Sequence, residues 1–209
     1  MRFNSFIKWI ALTILCGAVA FMGVREYFWL SKEAVDLNDP EVDWSELKAG
    51  DHVEMDITYL FDPFVITTSK KGVETMRTYA MPRIESVDSN GYWAITDYIG
   101  IHVNNQDLFA SYDKLCDETI DWWTDDDAIE YNPTTIHIDG VVREMDSESK
   151  DYFRQYLSDM EYDDDFINST ACSLAVYPAQ NANWYIVAIG LAGMLAGIGI
   201  IVYKVVKKK

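Results

Sequence analysis

Cysteine and histidine are scarce in this chain of 209 residues, which has three of each. No two cysteines are close enough in sequence to form a CxxC redox motif or a paired zinc-ligand motif. The chain also lacks the G-x-S-x-G, H-E-x-x-H and P-loop motifs of serine hydrolases, zinc proteases and nucleotide-binding proteins. Motifs therefore assign no catalytic residue and no cofactor to this protein.

Positive charge is sparse between residues 31 and 183. The two ends of the chain, outside that range, carry seven basic residues and one acidic residue, so the net charge of −17 leaves −23 on the middle segment. Such an acidic segment repels phosphate backbones, which argues against nucleic acid as a partner and favours basic partners or cations. An acidic surface also keeps a domain soluble, and that explanation requires no ligand.

Residues 184–203 contain no charged side chain and are almost entirely apolar. A helix of this length extends about 30 Å, the thickness of the hydrocarbon core of a bilayer. Lys204 and the lysines at 207–209 follow directly, and such a cluster stays on the cytoplasmic side of a membrane. The sequence therefore predicts a transmembrane helix over 184–203 and a basic cytoplasmic tail over 204–209.

A second apolar run, near the N-terminus, predicts a transmembrane helix over residues 7–29. Arg2 and Lys8 favour a cytoplasmic N-terminus, which places both termini inside and an acidic domain of residues 31–183 outside the cell membrane. A cleaved signal peptide is the alternative, because Ala18-Val19-Ala20 has the pattern of a cleavage site. The apolar residues continue past that site, which favours the anchor, and either alternative exports the middle domain.

The second span carries small residues four positions apart. Gly193 and Gly197 form a G-x-x-x-G pair, and Ala192 and Ala196 form a similar row beside it. Small residues at this spacing allow another helix backbone to approach closely. The expected partner, within the lipid bilayer, is either the first span or the same helix of another copy in a homo-oligomer.

Strand patterns come first in the middle domain. Val53, Met55 and Ile57 alternate with polar residues, which predicts a half-buried strand over 52–61. Asp62-Pro63 is expected to break this strand, and Pro82 is expected to mark a sheet edge or a strand end. The other predicted strands cover residues 64–68, 75–84, 92–103, 134–145 (as one bent strand or a pair) and 172–177.

Two helices are predicted among the later strands. Apolar residues at three- and four-residue spacing indicate a helix over 105–123, and Asp146 is expected to cap a helix from Ser147 to about Met160. The order of elements predicts an α+β fold with a mainly antiparallel sheet, of which a half-barrel is one form, and two helices. N- and C-terminal transmembrane helices flank this domain.

Three residues are candidate metal ligands. His137 and Asp139 stand two apart on a predicted strand and so share one face. If the strand that carries His102 paired with theirs, the three side chains would meet at one metal ion. Scattered histidines are more often surface residues. The acidic runs at 125–127 and 163–165 lack EF-hand spacing and are expected to be solvated loops.

Cys116 and Cys172 are the two cysteines expected outside the cytoplasm. An oxidising compartment permits a disulfide between them. Their wide separation in sequence leaves two separate thiols as the other outcome.

Two stretches resemble a known family. They are Trp44 to Val53 followed by Met55-Asp56-Ile57, and Gly140 to Met145 followed by a helix rich in Tyr and Phe. Both resemble an uncharacterised family, labelled a domain of unknown function, of small two-span membrane proteins from Gram-positive bacteria. The resemblance implies a bacterial cell-membrane location and assigns no functional residues.

The leading functional hypothesis is a membrane-anchored extracytoplasmic module that binds a ligand or acts as a scaffold. The absence of catalytic motifs and the presence of a helix-packing face motivate it. The alternatives are an exported metal-dependent hydrolase that uses His102, His137 and Asp139, and a sensor subunit that relays an outside signal.

Overall fold

The computed structural model describes residues 2–87, 93–124, 133–179 and 184–207, without the side chains of 2–6, 170–172 and 184–186. The chain forms two compact units, one of Met1–Ser31 with Gln180–Lys209 and one of Lys32–Ala179. The second unit is called the outer domain below. The elements follow in the order α1 (Arg2–Leu30), β1 (Val35–Asp36), β2 (His52–Ile57), β3 (Phe61–Thr68), β4 (Glu74–Val87), β5 (Trp93–Val103), α2 (Phe109–Thr124), β6 (Ile136–Glu144), α3 (Ser147–Asp159), α4 (Asp164–Thr170), β7 (Ala171–Pro178) and α5 (Trp184–Val206), with short 3-10 helices at Trp44–Glu46 and Gln106–Leu108.

Two of the helices are long and apolar enough to cross a membrane. They cover Ile7–Leu30 and Val187–Val206, each with a mean hydropathy of 2.0. α1 and α5 pack against each other within their own unit. The predicted pair of apolar terminal helices is therefore present.

The outer domain is built on one open, mostly antiparallel sheet of seven strands in the order β1-β2-β6-β7-β5-β4-β3. Among the described residues, the β1–β2 and β5–β7 pairs are parallel and the other four pairs are antiparallel. Three residues, 58–60, link β2 near one edge to β3 at the other. That link spans at most about 14 Å, whereas five strand spacings in a flat sheet measure about 24 Å. The sheet must therefore curl, as the half-barrel prediction anticipated.

The larger core lies on the face of the sheet that packs against α2. Residues of alternate parity on each strand point to this side, as period-two strands require. They meet the buried face of α2 and the buried ring of Trp44. The principal buried side chains are Val53, Met55, Ile57, Tyr79, Met81, Ile99, Ile101, Ile138, Val142, Val176, Tyr112 and Leu115.

A smaller core lies on the opposite face, under α3 and α4. Phe153 and Leu157 of α3 are buried there against Tyr98 and Ala175 of the sheet. Phe64 stacks on Phe153 with ring centroids 4.4 Å apart. With helices on both faces, most of the sheet is screened from water.

Several predicted elements are confirmed. Val53, Met55 and Ile57 are buried, and the residues between them, Glu54 and Asp56, are exposed. Asp146 caps α3, since its carboxylate accepts a hydrogen bond from the Ser149 amide. Residues 134–145 contain one strand, β6, and Gly140 permits close contact with β7, because a Cβ there would lie 2.6 Å from the Tyr177 carbonyl oxygen.

The expectation for Pro63 was wrong, and that for Pro82 was right only in part. Pro63 lies inside β3 rather than ending a strand. It is tolerated because β3 is an edge strand. Pro82 neither ends β4 nor lies on an edge strand, but the pairing with β3 ends at Ala80, so at Pro82 the strand has only β5 as a hydrogen-bonded neighbour.

The second acidic run was also misread. Asp163 accepts a hydrogen bond from the Phe166 amide and Asp164 begins α4, so this run starts a third helix. Aspartate at a helix start is favourable for the same reason that it caps α3. The first acidic run, 125–127, and the predicted turn at 88–91 lie outside the described residues.

Candidate functional site

A cleft of about 430 Å³ opens in the outer domain where the sheet curls. One wall is the loop after β1, another is the middle of β4 and β5, and the link between β2 and β3 passes beside them. This cleft is called the acidic cleft below. Its lining residues are Leu37, Asn38, Asp39, Pro40, Trp44, Asp56, Thr58, Tyr59, Met81, Pro82, Arg83, Ile84, Glu85, Thr96 and Asp97.

The loop wall is ordered by its own short polar side chains. The side chain of Asn38 pairs with the backbone of Asp56 as a neighbouring strand would. Its Nδ2 donates to the Asp56 carbonyl at 3.0 Å, and its Oδ1 accepts from the Asp56 backbone amide at 2.6 Å. Asp39 accepts from the Glu41 amide, and Asp43 caps the following 3-10 helix by accepting from the Ser45 amide. Asn and Asp commonly fold a loop in this way.

Arg83 of β4 joins the loop to the sheet. Its guanidinium donates to the Val42 carbonyl at 2.6 Å and to the Pro40 carbonyl at 2.9 Å. It also lies 5.6 Å above the ring of Trp44. Trp44 is buried and donates to the Leu37 carbonyl at 3.3 Å, which closes the loop from within.

The cleft is electrostatically negative. Four of its lining residues are acidic and one is an arginine, and the carboxylate of one of the acids, Asp56, is paired with His137 of β6. Burial raises the pKa of Asp97, and the nearby charge of Asp43 raises it further, while Arg83 and a hydrogen bond from Thr96 lower it only in part. A raised carboxylate pKa means that the anion is under-compensated by its surroundings, so a cation in the cleft would stabilise it.

The lining combines carboxylates with the hydroxyls of Thr58, Tyr59 and Thr96. These polar groups stand above an apolar floor, as they do in ligand-binding pockets.

The three predicted metal ligands do not converge. His137 lies 2.8 Å from a carboxylate oxygen of Asp56, and Asp139 lies 2.7 Å from Nε2 of His52. His102 is on β5, separated from β6 by β7, and stacks on Tyr177 at 4.1 Å. Across the described parts of the chain, no three His, Cys, Asp or Glu side chains are placed to hold one metal ion.

His52 has the most informative environment of the three histidines. Its Nδ1 lies 2.7 Å from the Lys32 carbonyl oxygen and its Nε2 lies 2.7 Å from the Asp139 carboxylate. Both partners only accept, so the imidazolium, with two N–H donors, satisfies both. Burial lowers the pKa of His52, but the Lys32 carbonyl and Asp139 more than offset it, and the pKa is raised.

The predicted helix-packing residues divide into two groups. Gly193 and Gly197 face α1, where an added Cβ at Gly193 would lie 2.8 Å from Sγ of Cys16 and one at Gly197 would meet Thr13. Ala192 and Ala196 are exposed on another side of α5. The glycine pair therefore contacts α1 of the same chain.

Cys116 is buried on α2, and its thiol donates to the Phe61 carbonyl at 3.3 Å. Burial raises the pKa of this thiol, and the carboxylates of Asp62 and Asp113 add to the effect. The side chain of Cys172 lies outside the described side chains, so the disulfide stays a prediction.

Sequence reasoning missed the acidic cleft. The sequence feature that could have predicted the cleft is a pair of charged residues at inward-facing positions of two neighbouring strands. Arg83 shares the parity of Tyr79 and Met81, and Asp97 shares that of Ile99 and Ile101. Charges at such positions are costly unless they are paired or exposed to a cleft.

The fold and the cleft define an α+β protein with a curled, mostly antiparallel sheet, placed in sequence between two apolar helices. The chain belongs to the family described as a domain of unknown function, DUF8577, whose model matches residues 2–203. The resemblance to an uncharacterised family is thereby confirmed. No curated protein matches the sequence.

Proposed function

We propose that this protein is a membrane-anchored binding module. Two transmembrane helices hold the outer domain on the extracytoplasmic side, and the acidic cleft is the ligand-binding surface of that domain. The observation that carries the proposal is a pair of apolar helices that precede and follow, in sequence, a folded acidic domain. The resemblance to Gram-positive membrane proteins adds the bacterial cell membrane as the location.

Charge supports the orientation. Arg2 and Lys8 precede the first span, and Lys204 and the lysines at 207–209 follow the second. Basic residues next to a span resist transfer across the membrane, whereas long domains are translocated largely regardless of their charge. Both termini are then cytoplasmic and residues 32–179 are outside.

Helix packing supports an anchor over a cleaved signal peptide. A Cβ added at Gly190 would lie 3.1 Å from the Ala20 amide nitrogen and 3.2 Å from the Cys16 carbonyl oxygen. α5 therefore uses its glycines to approach the stretch of α1 that contains Ala18-Val19-Ala20. Cleavage after Ala20 would remove most of this contact and leave the glycine face without its partner.

Extraction of membranes with alkaline carbonate, followed by intact mass measurement, tests the anchoring. The full chain should stay in the membrane pellet, and its mass should include residues 1–20. Release into the supernatant would overturn the proposal. Retention with the N-terminal residues missing would overturn the two-span anchor and leave α5 as the only span.

A further inference from the structure

We propose that the acidic cleft binds an extended organic cation that carries two or more amino groups, such as a linear polyamine. This inference rests on the proposed function, since it names the ligand class for the same cleft. Three features of the described residues support it: the balance of charge, the spacing of the carboxylates and the apolar floor.

The balance of charge leaves the cleft anionic. Arg83 is the only cation among the described lining residues, against Asp39, Glu85, Asp97 and Asp56, and of these four the Asp56 carboxylate is already paired with His137. Its guanidinium already donates to the carbonyls of Val42 and Pro40, so its hydrogen-bonding fork is directed into the loop. The cleft thus presents acceptors, and ammonium groups supply up to three donors each.

The carboxylates are spread around the cleft. Asp39 belongs to the loop after β1, Glu85 to β4 and Asp97 to β5, whereas the carboxylate of Asp56 on β2 is paired with His137. They form no described cluster that could surround one metal ion. Separated acceptors around a cavity match separated amino groups on one molecule better than they match a single divalent ion, which requires six or more oxygens at about 2–2.6 Å.

The floor of the cleft is apolar. Leu37, Trp44 and Met81 are buried beneath it, and Tyr59 is half-buried at its side. Methylene groups between amines can pack on such a floor while the ammonium ends reach carboxylates, as the stems of lysine side chains do. The volume, about 430 Å³, is within the usual range of small-molecule pockets.

Calorimetric titration of spermidine into the full chain, held in nanodiscs of zwitterionic lipid, tests this inference. Spermidine should bind the unsubstituted protein, and butylamine, with one amino group, should bind at least tenfold more weakly. Asp97→Asn should weaken spermidine binding about tenfold, and the exposed rim variant Glu85→Gln should weaken it severalfold. Asp151→Asn is the matched control, because it removes the same charge from an exposed site on α3 and should leave the affinity unchanged.

The contrary results are equally specific. Absence of spermidine binding at millimolar concentration, or equal weakening by Asp97→Asn and Asp151→Asn, would overturn the polyamine site. Displacement of spermidine by equimolar Mg²⁺ or Ca²⁺ would make the cleft a metal site and would also overturn it. A thermal melt of each variant confirms folding, and Glu85→Gln keeps the test valid if Asp97→Asn does not fold. If binding fails while the protein stays in carbonate-washed membranes, only the ligand class is wrong and the anchored module stands.

Discussion

Arg83 of β4 lies directly opposite Asp97 of β5 in the register of the sheet. Both occupy inward-facing positions where the curled sheet opens into the acidic cleft. Arg83 directs its guanidinium to the loop after β1, at the carbonyls of Pro40 and Val42. One residue therefore both orders the loop wall and partly compensates the carboxylate of Asp97.

Replacing Arg83 should detach the loop from the sheet. Arg83→Ala should lower the free energy of unfolding of the outer domain by about 1–3 kcal/mol, because two charge-assisted hydrogen bonds are lost. Arg83→Lys keeps the charge but lacks the planar fork, so it should recover only part of this loss. Urea unfolding of the full chain in detergent, followed by tryptophan fluorescence, measures both changes.

The control for this experiment is Arg154→Ala on α3. Arg154 donates to Asn168 in an exposed pair. Its loss should cost less than about 0.5 kcal/mol, as is usual for surface substitutions. Equal destabilisation by Arg83→Ala and Arg154→Ala would contradict the role assigned to Arg83.

The sequence predicted those parts of the fold that depend on local pattern. Val53, Met55 and Ile57 alternate because one face of β2 is buried, and Asp146 stands before a helix because its carboxylate caps it. The pairing of strands that are distant in sequence cannot be predicted from local pattern in the same way. Pro63 predicts the end of a strand, because nothing in the local sequence shows that β3 is an edge strand that tolerates proline.

The candidate site depended still more on pairing between distant strands. His137 and Asp139 do share a face of β6, as their spacing predicts, but their partners Asp56 and His52 come from β2. His102 would join them only if its strand paired with β6, and β7 lies between β5 and β6. Local sequence pattern does not predict the acidic cleft, because only curling of the sheet brings the loop after β1 towards β4.

The packing of the two apolar helices can be tested with one cysteine. A Cβ at position 193 would lie 3.4 Å from Cβ of Cys16, close to the Cβ–Cβ separation in disulfides. Under mild oxidation, Gly193→Cys should therefore form a disulfide with Cys16 in the same chain. Mass spectrometry should show a monomer that has lost two hydrogens.

Gly199→Cys serves as the control, because nothing lies within 4 Å of a Cβ added at Gly199. This variant should keep its introduced thiol free under the same oxidation. A covalent dimer of Gly193→Cys would instead show that the glycine face packs against a second copy.

Two histidines should affect stability with opposite dependence on pH. The pKa of His52 is raised in the folded protein, so its stabilisation is complete below the unfolded value of 6.5 and is lost as the pH rises through the folded pKa. His52→Gln should therefore destabilise the outer domain more at pH 5.5 than at pH 8.5. Urea unfolding at both pH values measures the difference from the unsubstituted chain.

His102 should behave in the reverse sense. Burial, with a smaller contribution from Arg143, lowers the pKa of His102 to about 4. Its neutral form is favoured on folding, so the protein loses stability as the pH falls from 6.5 towards 4. His102→Gln should relieve a penalty on the order of 2 kcal/mol at pH 4.5 and none at pH 8. A variant that differs from the unsubstituted chain equally at both pH values would contradict this assignment.

The sidedness of the membrane tests the anchored-module account most directly. Lys71 is exposed in the turn between β3 and β4, and Lys207 is exposed just after α5. A membrane-impermeant maleimide, applied to intact protoplasts, should label Lys71→Cys and should label Lys207→Cys only after detergent is added, with the unsubstituted chain as the baseline. Labelling of Lys207→Cys on intact protoplasts, or protection of Lys71→Cys until detergent is added, would contradict an outer domain held by two spans with both termini inside.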